Sequence, residues 1–241
     1  MQSAAFASIG LDWTYELSDV PPEQLAAAVT ALRTPAYAGA NVTIPHKVAV
    51  IPLLDGLDSQ AEATGAVNTI RREGSRLLGS NTDVAGIEVA LGEVGLDPEG
   101  VNAVVLGAGG AARAAATALR GAHLTFVARR PALAAGLPGE VLSWDDRRWW
   151  QLARRADLLL NATPLGRKQE LPLPASELPA RGTVIDLVYT AAGTPLLSAA
   201  RTLGLPCADG WTVLVAQGAA AFEAWTGRPA PIEAMRASLP R

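Results

Sequence analysis

Lysine is nearly absent from this chain. Lys47 and Lys168 stand against 18 arginines, which make up the rest of the 20 basic residues. Arginine keeps its proton near neutral pH, whereas a partly desolvated lysine can release one, so a retained lysine is a candidate acid/base group or else a plain solvated charge. Cysteine is also scarce. The single Cys207 excludes an intrachain disulfide and a thiolate metal centre, and two histidines, His46 and His123, are too few for a histidine-built one. There is no block of basic residues, and the net charge is -3, which argues against nucleic acid as the main partner. No apolar run approaches the roughly 20 residues that span a bilayer, and no charged start followed by an apolar stretch marks a secretory signal. These absences lead to the expectation of a cytoplasmic protein with neither metal nor membrane as partner.

What is present suits a packed α/β protein. Hydrophobic residues make up 49% and charged residues 18% of 241, enough apolar side chain for one large domain or two smaller ones. Strand-like and helix-like stretches alternate along the chain. The patterns predict an extended stretch over Thr14–Leu17, a helix over Pro22–Leu32 and a strand over Ala40–Ile44. A helix begun by Pro45 is predicted over His46–Leu54, and a hairpin turning at Glu73-Gly74 joins Ala66–Arg71 to Arg76–Gly79. Asp83–Val94 reads as helical. The second half changes character, with apolar strands at Asn102–Leu106, His123–Ala128, Asp157–Leu160 and Thr183–Val188, and helices over Thr194–Leu203 and Trp211–Trp225. Continuous apolar strands separated by helices predict a doubly wound parallel sheet covered on both faces. Leu171–Pro179 and Ala132–Gly139 read as loops.

Two patterns carry chemistry. Gly107-Ala108-Gly109-Gly110-Ala111-Ala112 follows a strand and opens a helix. That is the dinucleotide fingerprint of a Rossmann-type sheet: the first glycine allows the turn, the second lets a pyrophosphate approach, and the small third residue lets helix and strand pack. The next strand ends Val127-Ala128-Arg129-Arg130 with no acid in reach, where an NAD-selective site places Asp or Glu. Two guanidiniums there suit a 2′-phosphate, so NADP is the expected cofactor. The bland alternative is a solvated charged loop.

Polar residues also gather at predicted strand ends in the first half. Asn41 and Thr43 precede Lys47, Asn68-Thr69 follow Gly65-Ala66-Val67, and Asn81-Thr82-Asp83 open a helix. Ligands in open α/β sheets sit beyond the carboxyl ends of strands, so these groups fit a small polyhydroxylated substrate. Asp83 is read either as a helix N-cap or as the partner that holds and tunes Lys47.

On these stretches the chain resembles the shikimate dehydrogenase family. The likeness runs from Ala4-Ala5-Phe6 to Trp225-Thr226-Gly227. It passes through Asn41–Lys47, Gly65–Thr69, Asn81–Asp83 with Gly86, Gly107–Arg113, Asn161–Gly166, Asp186–Tyr189 and Gln217–Ala219. The resemblance implies NADPH-dependent reversible reduction of 3-dehydroshikimate to shikimate in aromatic amino-acid (chorismate) biosynthesis. Lys47 and Asp83 would be the catalytic pair, and Thr43, Asn68, Tyr189 and Gln217 would bind substrate. Gly107, Gly109, Gly110, Ala111, Arg129, Arg130, Asn161, Thr163, Leu165, Val188 and Gly210 would hold the cofactor. It further implies a small-molecule substrate, a homodimer, and two lobes with the active site in the cleft between them. Residues 1–83 plus 214–241 would bind substrate and 84–213 NADP. An NAD-preferring quinate/shikimate dehydrogenase and a non-catalytic nucleotide-binding scaffold remain as alternatives.

Three departures from the family pattern stand out. The strand and carboxylate-binding serine pair that the family places before the stretch matching Met1 are not in this sequence, which raises the expectation of a chain cut short at its start. Arg167 and Val213 occupy positions where the family usually carries methionine.

Overall fold

The computed structural model describes residues 1–240, Leu133 by its backbone alone. It divides into two compact units, one of residues 1–85 and 215–241 and one of 86–214.

The first unit begins with helix α1 (Gln2–Ser8), followed by α2 (Leu25–Ala31), strands β1 (Gly39–Asn41) and β2 (Gly56–Leu57), α3 (Ser59–Thr64), and strands β3 (Thr69–Glu73) and β4 (Arg76–Ser80). Its sheet has the order β1-β3-β4-β2: β1–β3 and β3–β4 are antiparallel, β4–β2 parallel. The predicted hairpin is there, with Glu73 opposite Arg76 across the turn. Asp58 caps α3 by accepting from the Ala61 N–H at 2.8 Å, which satisfies one donor that a helix start leaves free. One apolar cluster joins Val29, Val50, Ala61, Val67, Ile70 and Leu77. Another joins Ala5 and Phe6 of α1 to Phe222 and Met235, with the Phe6 and Phe222 rings stacked at 5.5 Å.

One expectation for this unit fails, the helix over His46–Leu54, and the stretch read as extended finds no partner strand among the described residues. Thr14–Leu17 lies in a stretch, residues 11–20, that forms no ladder with any described strand. Single contacts hold it instead: the Tyr15 hydroxyl donates to Asn41 Oδ1 at 2.9 Å, and His46 Nε2 meets the Val20 carbonyl at 2.6 Å. Since a carbonyl only accepts, Nε2 of His46 carries the proton. The helix predicted over His46–Leu54 is a run of turns ending in a 3₁₀ turn, Ile51–Leu53. Pro52 is the cause. It has no N–H, and its ring would meet the carbonyl four residues back, so the bonding shortens from Val50 N–H to His46 O into Ile51 to Val48 and Leu53 to Val50.

Helix α4 (Asp83–Glu93) carries the chain into the second unit. There follow β5 (Asn102–Leu106), α5 (Gly110–Ala118), β6 (His123–Ala128), β7 (Glu140–Ser143), α6 (Arg148–Arg155), β8 (Leu158–Asn161), β9 (Thr183–Asp186), α7 (Pro195–Thr202) and β10 (Cys207–Ala208). All six strands are parallel, in the order β10-β9-β8-β5-β6-β7, the doubly wound sheet that the alternating pattern predicts. Side chains alternate between its faces. Val104, Leu106, Val127, Leu159 and Val184 pack with Trp149 and Ala153 of α6 and with Leu196, Leu197 and Ala200 of α7. The intervening Ala103, Val105, Phe126, Leu158, Leu160 and Ile185 are equally buried, which is why these strands read as unbroken apolar runs. Helix α8 (Gly210–Thr226) returns to the first unit, which ends with α9 (Ile232–Ala237). No described helix is long and apolar enough to cross a membrane.

Candidate active site

In the first unit the polar residues at the ends of β1, β3 and β4 come together. Lys47 Nζ donates to Asp83 Oδ2 at 2.5 Å, and each side chain is only 17% exposed. A lysine and a carboxylate withdrawn that far from water are held as a pair rather than solvated separately. The Lys47 backbone is fixed as well, because its carbonyl accepts from the Val67 N–H at 2.7 Å. Asp83 is the first residue of α4, but its carboxylate does not cap that helix. Asn81 Oδ1 accepts from the Asp83 N–H, leaving the carboxylate free for Lys47 and for Asn68 Nδ2, which donates to Oδ1 at 2.7 Å.

Asn68 is buried and fully engaged. Its Nδ2 donates to Asp83 and to Thr82 Oγ1, and its Oδ1 accepts from the Thr82 N–H at 2.8 Å and from Thr69 Oγ1 at 2.9 Å. Thr43 is exposed, and its carbonyl accepts from the His46 N–H in the turn before Lys47. Gln217 lies in α8, within the first unit. Among the described residues no group of histidine, cysteine, aspartate or glutamate is arranged to hold a metal ion.

In the second unit the fingerprint residues stand where β5 gives way to α5. Gly107 has φ +117°, and a Cβ there would lie 3.0 Å from the Ala162 carbonyl oxygen, so both conformation and space call for glycine. Gly109 is the N-cap of α5 and provides no side-chain cap, and the space around its missing Cβ is open. Gly110 and Ala111 begin the helix. The result is a nine-residue helix whose first N–H groups and positive dipole end face an open surface, a fit for phosphate oxygens. Arg129 and Arg130, directly after β6, are exposed.

The ends of β8 and β9 are tied to each other. Asn161 faces Asp186 in register, and its Nδ2 donates to Asp186 Oδ1 at 2.8 Å and to the Leu165 carbonyl at 2.9 Å. Asn161 Oδ1 accepts from both the N–H and the hydroxyl of Thr163. These bonds fold residues 161–165 into a compact loop. Asp186, fully buried, also accepts from Thr194 Oγ1 at 2.6 Å and from the Val188 N–H at 3.1 Å. Burial pushes its carboxyl above the usual range, while the three donors pull the other way. Gly210 closes the group, because a Cβ there would come within 2.6 Å of the Leu187 carbonyl oxygen. Tyr189 packs its ring 4.9 Å from Trp211 and is 40% exposed.

Sequence reasoning missed two partners in these clusters. Tyr15 gave no signal, because only the fold brings it to Asn41. Asp186 ends the apolar run Val184-Ile185, a position where a buried acid could have been suspected.

Residues 1–70 match the shikimate dehydrogenase substrate binding domain, and residues 210–239 match the shikimate 5'-dehydrogenase C-terminal domain. A shikimate dehydrogenase (NADP(+)) of Moorella thermoacetica is 45% identical over 98% of this chain and 85% of its own length. Among solved structures, the shikimate 5-dehydrogenase of Thermus thermophilus, crystallised with NADP(H) and shikimate, superposes with a TM-score of 0.87 at 38% identity. It is matched over 98% of this chain and 90% of that one. The 5-ketofructose reductase of a Gluconobacter strain superposes at 0.85 with 34% identity, over 98% and 90%. With a relative this similar over nearly the whole of both chains, the protein belongs to the shikimate dehydrogenase family.

Proposed function

We propose that this chain is an NADP-dependent dehydrogenase that reversibly reduces 3-dehydroshikimate to shikimate in aromatic amino-acid biosynthesis, with Lys47 as its acid/base group. The observation that carries the reading is the Lys47–Asp83 pair, held at 2.5 Å and largely withdrawn from water. In the reducing direction the ketone carbon gains a hydride and the ketone oxygen a proton, giving the alcohol. The cofactor, when bound, supplies the hydride. The Lys47 ammonium gives its proton to the oxygen as negative charge grows there, and takes one back from the hydroxyl in the reverse direction. Asp83 keeps the ammonium aimed. Tyr189 helps hold the substrate, and Thr43, Gln217 and Asn68 bind the ring hydroxyls. Asn68 does so by exchanging one of its present bonds, since all its hydrogens and lone pairs are in use.

For the cofactor, Gly107, Gly109, Gly110 and Ala111 offer the loop and the α5 N-terminus to the pyrophosphate. Arg129 and Arg130 take the 2′-phosphate, and Asn161, Thr163, Leu165, Val188 and Gly210 line the nicotinamide side. The reading extends to a cytoplasmic enzyme that forms a homodimer, the latter checked by sedimentation.

Initial rates with shikimate or quinate against NADP+ or NAD+, followed by nicotinamide absorbance, test the assignment. Shikimate with NADP+ should give the highest kcat/KM. A preference for NAD+, or faster reduction of 5-ketofructose than of 3-dehydroshikimate, would overturn it.

A further inference from the structure

The Lys47–Asp83 pair is the end of a longer chain of bonds, all within the first unit. Tyr15 Oη donates to Asn41 Oδ1 at 2.9 Å, and Asn41 Nδ2 donates to Thr69 Oγ1 at 3.1 Å. Thr69 Oγ1 donates to Asn68 Oδ1 at 2.9 Å, and Asn68 Nδ2 donates to Asp83 Oδ1 at 2.7 Å. The other carboxylate oxygen of Asp83 takes Lys47.

The orientations of the two amides are fixed by groups that have no choice of role. The Thr82 N–H can only donate, and it points at Asn68 Oδ1, so the amide nitrogen of Asn68 must face Asp83. The Asn68 carbonyl can only accept, and Asn41 Nδ2 lies 3.3 Å from it, so Asn41 turns its oxygen to Tyr15. Thr69 Oγ1 receives a hydrogen from Asn41, and its own goes to the nearer of its two neighbours, Asn68 Oδ1 at 2.9 Å, rather than to Thr82 Oγ1 at 3.2 Å. All the dipoles run one way, toward the carboxylate, and hydrogen bonds in such a file polarise one another. Burial raises the Tyr15 hydroxyl above its ordinary value, which keeps it protonated as the head donor.

We infer that Tyr15, Asn41 and Thr69 are positioning residues for catalysis: through Asn68 they set the rotation of the Asp83 carboxylate so that one oxygen is kept for Lys47. This rests on the reading of Lys47 as the acid/base group. Without the file, Asn68 Oδ1 keeps only its Thr82 donors, so the amide that divides the two Asp83 oxygens between itself and an ammonium is held less firmly. None of the three bonds to Lys47 or Asp83, so their effect on turnover passes through Asn68 and the Thr82 hydroxyl that Thr69 also meets at 3.2 Å.

Thr69 is the link to cut, because Thr69→Val keeps its shape and removes only the hydroxyl, while Thr69→Ser keeps the hydroxyl. Misplacement of an acid/base group lowers turnover steeply, so Thr69→Val should lower kcat for shikimate oxidation about 10-fold or more. KM for NADP+ should stay within about twofold, since only interactions made in the transition state are lost. Thr69→Ser should restore most of kcat, and Tyr15→Phe should fall between. A purely structural network would show otherwise: Thr69→Val would lower the melting temperature and leave kcat per folded molecule unchanged, which would overturn the inference. Equal loss in Thr69→Ser would do the same. Should Thr69→Val fail to fold, Tyr15→Phe carries the test on the same two parameters, and an unchanged kcat there is the contrary result. Absence of turnover in the unaltered chain would overturn the functional reading itself, and is distinct from an active chain indifferent to these changes.

Discussion

Two carboxylates in this protein sit in opposite surroundings. Asp83 meets an ammonium and an amide. Asp186 is fully buried with three neutral hydrogen-bond donors, and no ion pair to it is present among the described residues. Burial raises the Asp186 carboxyl, so the folded protein holds this proton more tightly than the unfolded chain does. Between the ordinary carboxylate value and the raised folded one, the folded state binds more protons, and stability falls as pH rises through that window. Asp186→Asn has no such proton to lose. Urea melts of both proteins across the acid range should show the original losing stability relative to Asp186→Asn as pH climbs, with the gap constant above the folded value. A gap independent of pH throughout would contradict the account. Lys47 was legible in the sequence because lysine is so rare there, and Asp83 because it shares strand-end company with Asn68. The role of Asp186 was not legible, since only the fold brings Asn161 and Thr194 to its carboxylate.

Strand ends carry most of the chemistry, and the elements set what each can tolerate. The apolar strands β5 and β6 have the same limits in sequence and structure, because both faces of an interior parallel strand are covered and the run is unbroken. His46–Leu54 shows the limit of such reading: Pro45 looks like a good helix start, but Pro52 then breaks the bonding seven residues on. Residues 11–20 were equally hard to place, being held by side-chain bonds that join distant parts of the chain. At the start of α8, Gly210→Ala would push a methyl into the Leu187 and Val188 carbonyls, at 2.6 and 2.7 Å. Such overpacking against backbone should cost about 1–3 kcal/mol in a chemical melt and raise KM for NADP+, whereas wild-type stability would show that the turn relaxes freely. At the end of β6, Arg129→Ala with Arg130→Ala removes the proposed 2′-phosphate donors. Hydrogen bonds to a charged group contribute about 1.5–3 kcal/mol each, so kcat/KM with NADP+ should fall at least 10-fold while that with NAD+ holds. Equal loss with both cofactors would remove the basis for NADP preference.

At the scale of the whole molecule, each of the two units carries its own polar cluster on its own sheet. One holds a charged pair with a file of neutral donors behind it, the other a glycine loop, an open helix N-terminus and a buried carboxylate that ties two loops. The nucleotide unit was largely legible from the sequence, because its signal is local: a strand, three glycines and a helix in one stretch. The first unit was legible only in part. Its chemistry is assembled from Tyr15, Asn41, Lys47, Asn68, Thr69 and Asp83, which lie far apart along the chain, and only the fold determines which of them touch. The central claim is that this assembly serves Lys47 as acid and base. The most direct test is kcat for NADP-linked shikimate oxidation in the unaltered protein and in Lys47→Ala, with NADP+ affinity measured alongside by tryptophan fluorescence. Loss of a general acid/base should lower kcat about 10²–10⁴-fold with NADP+ affinity unchanged. Turnover by Lys47→Ala at the unaltered rate would contradict it.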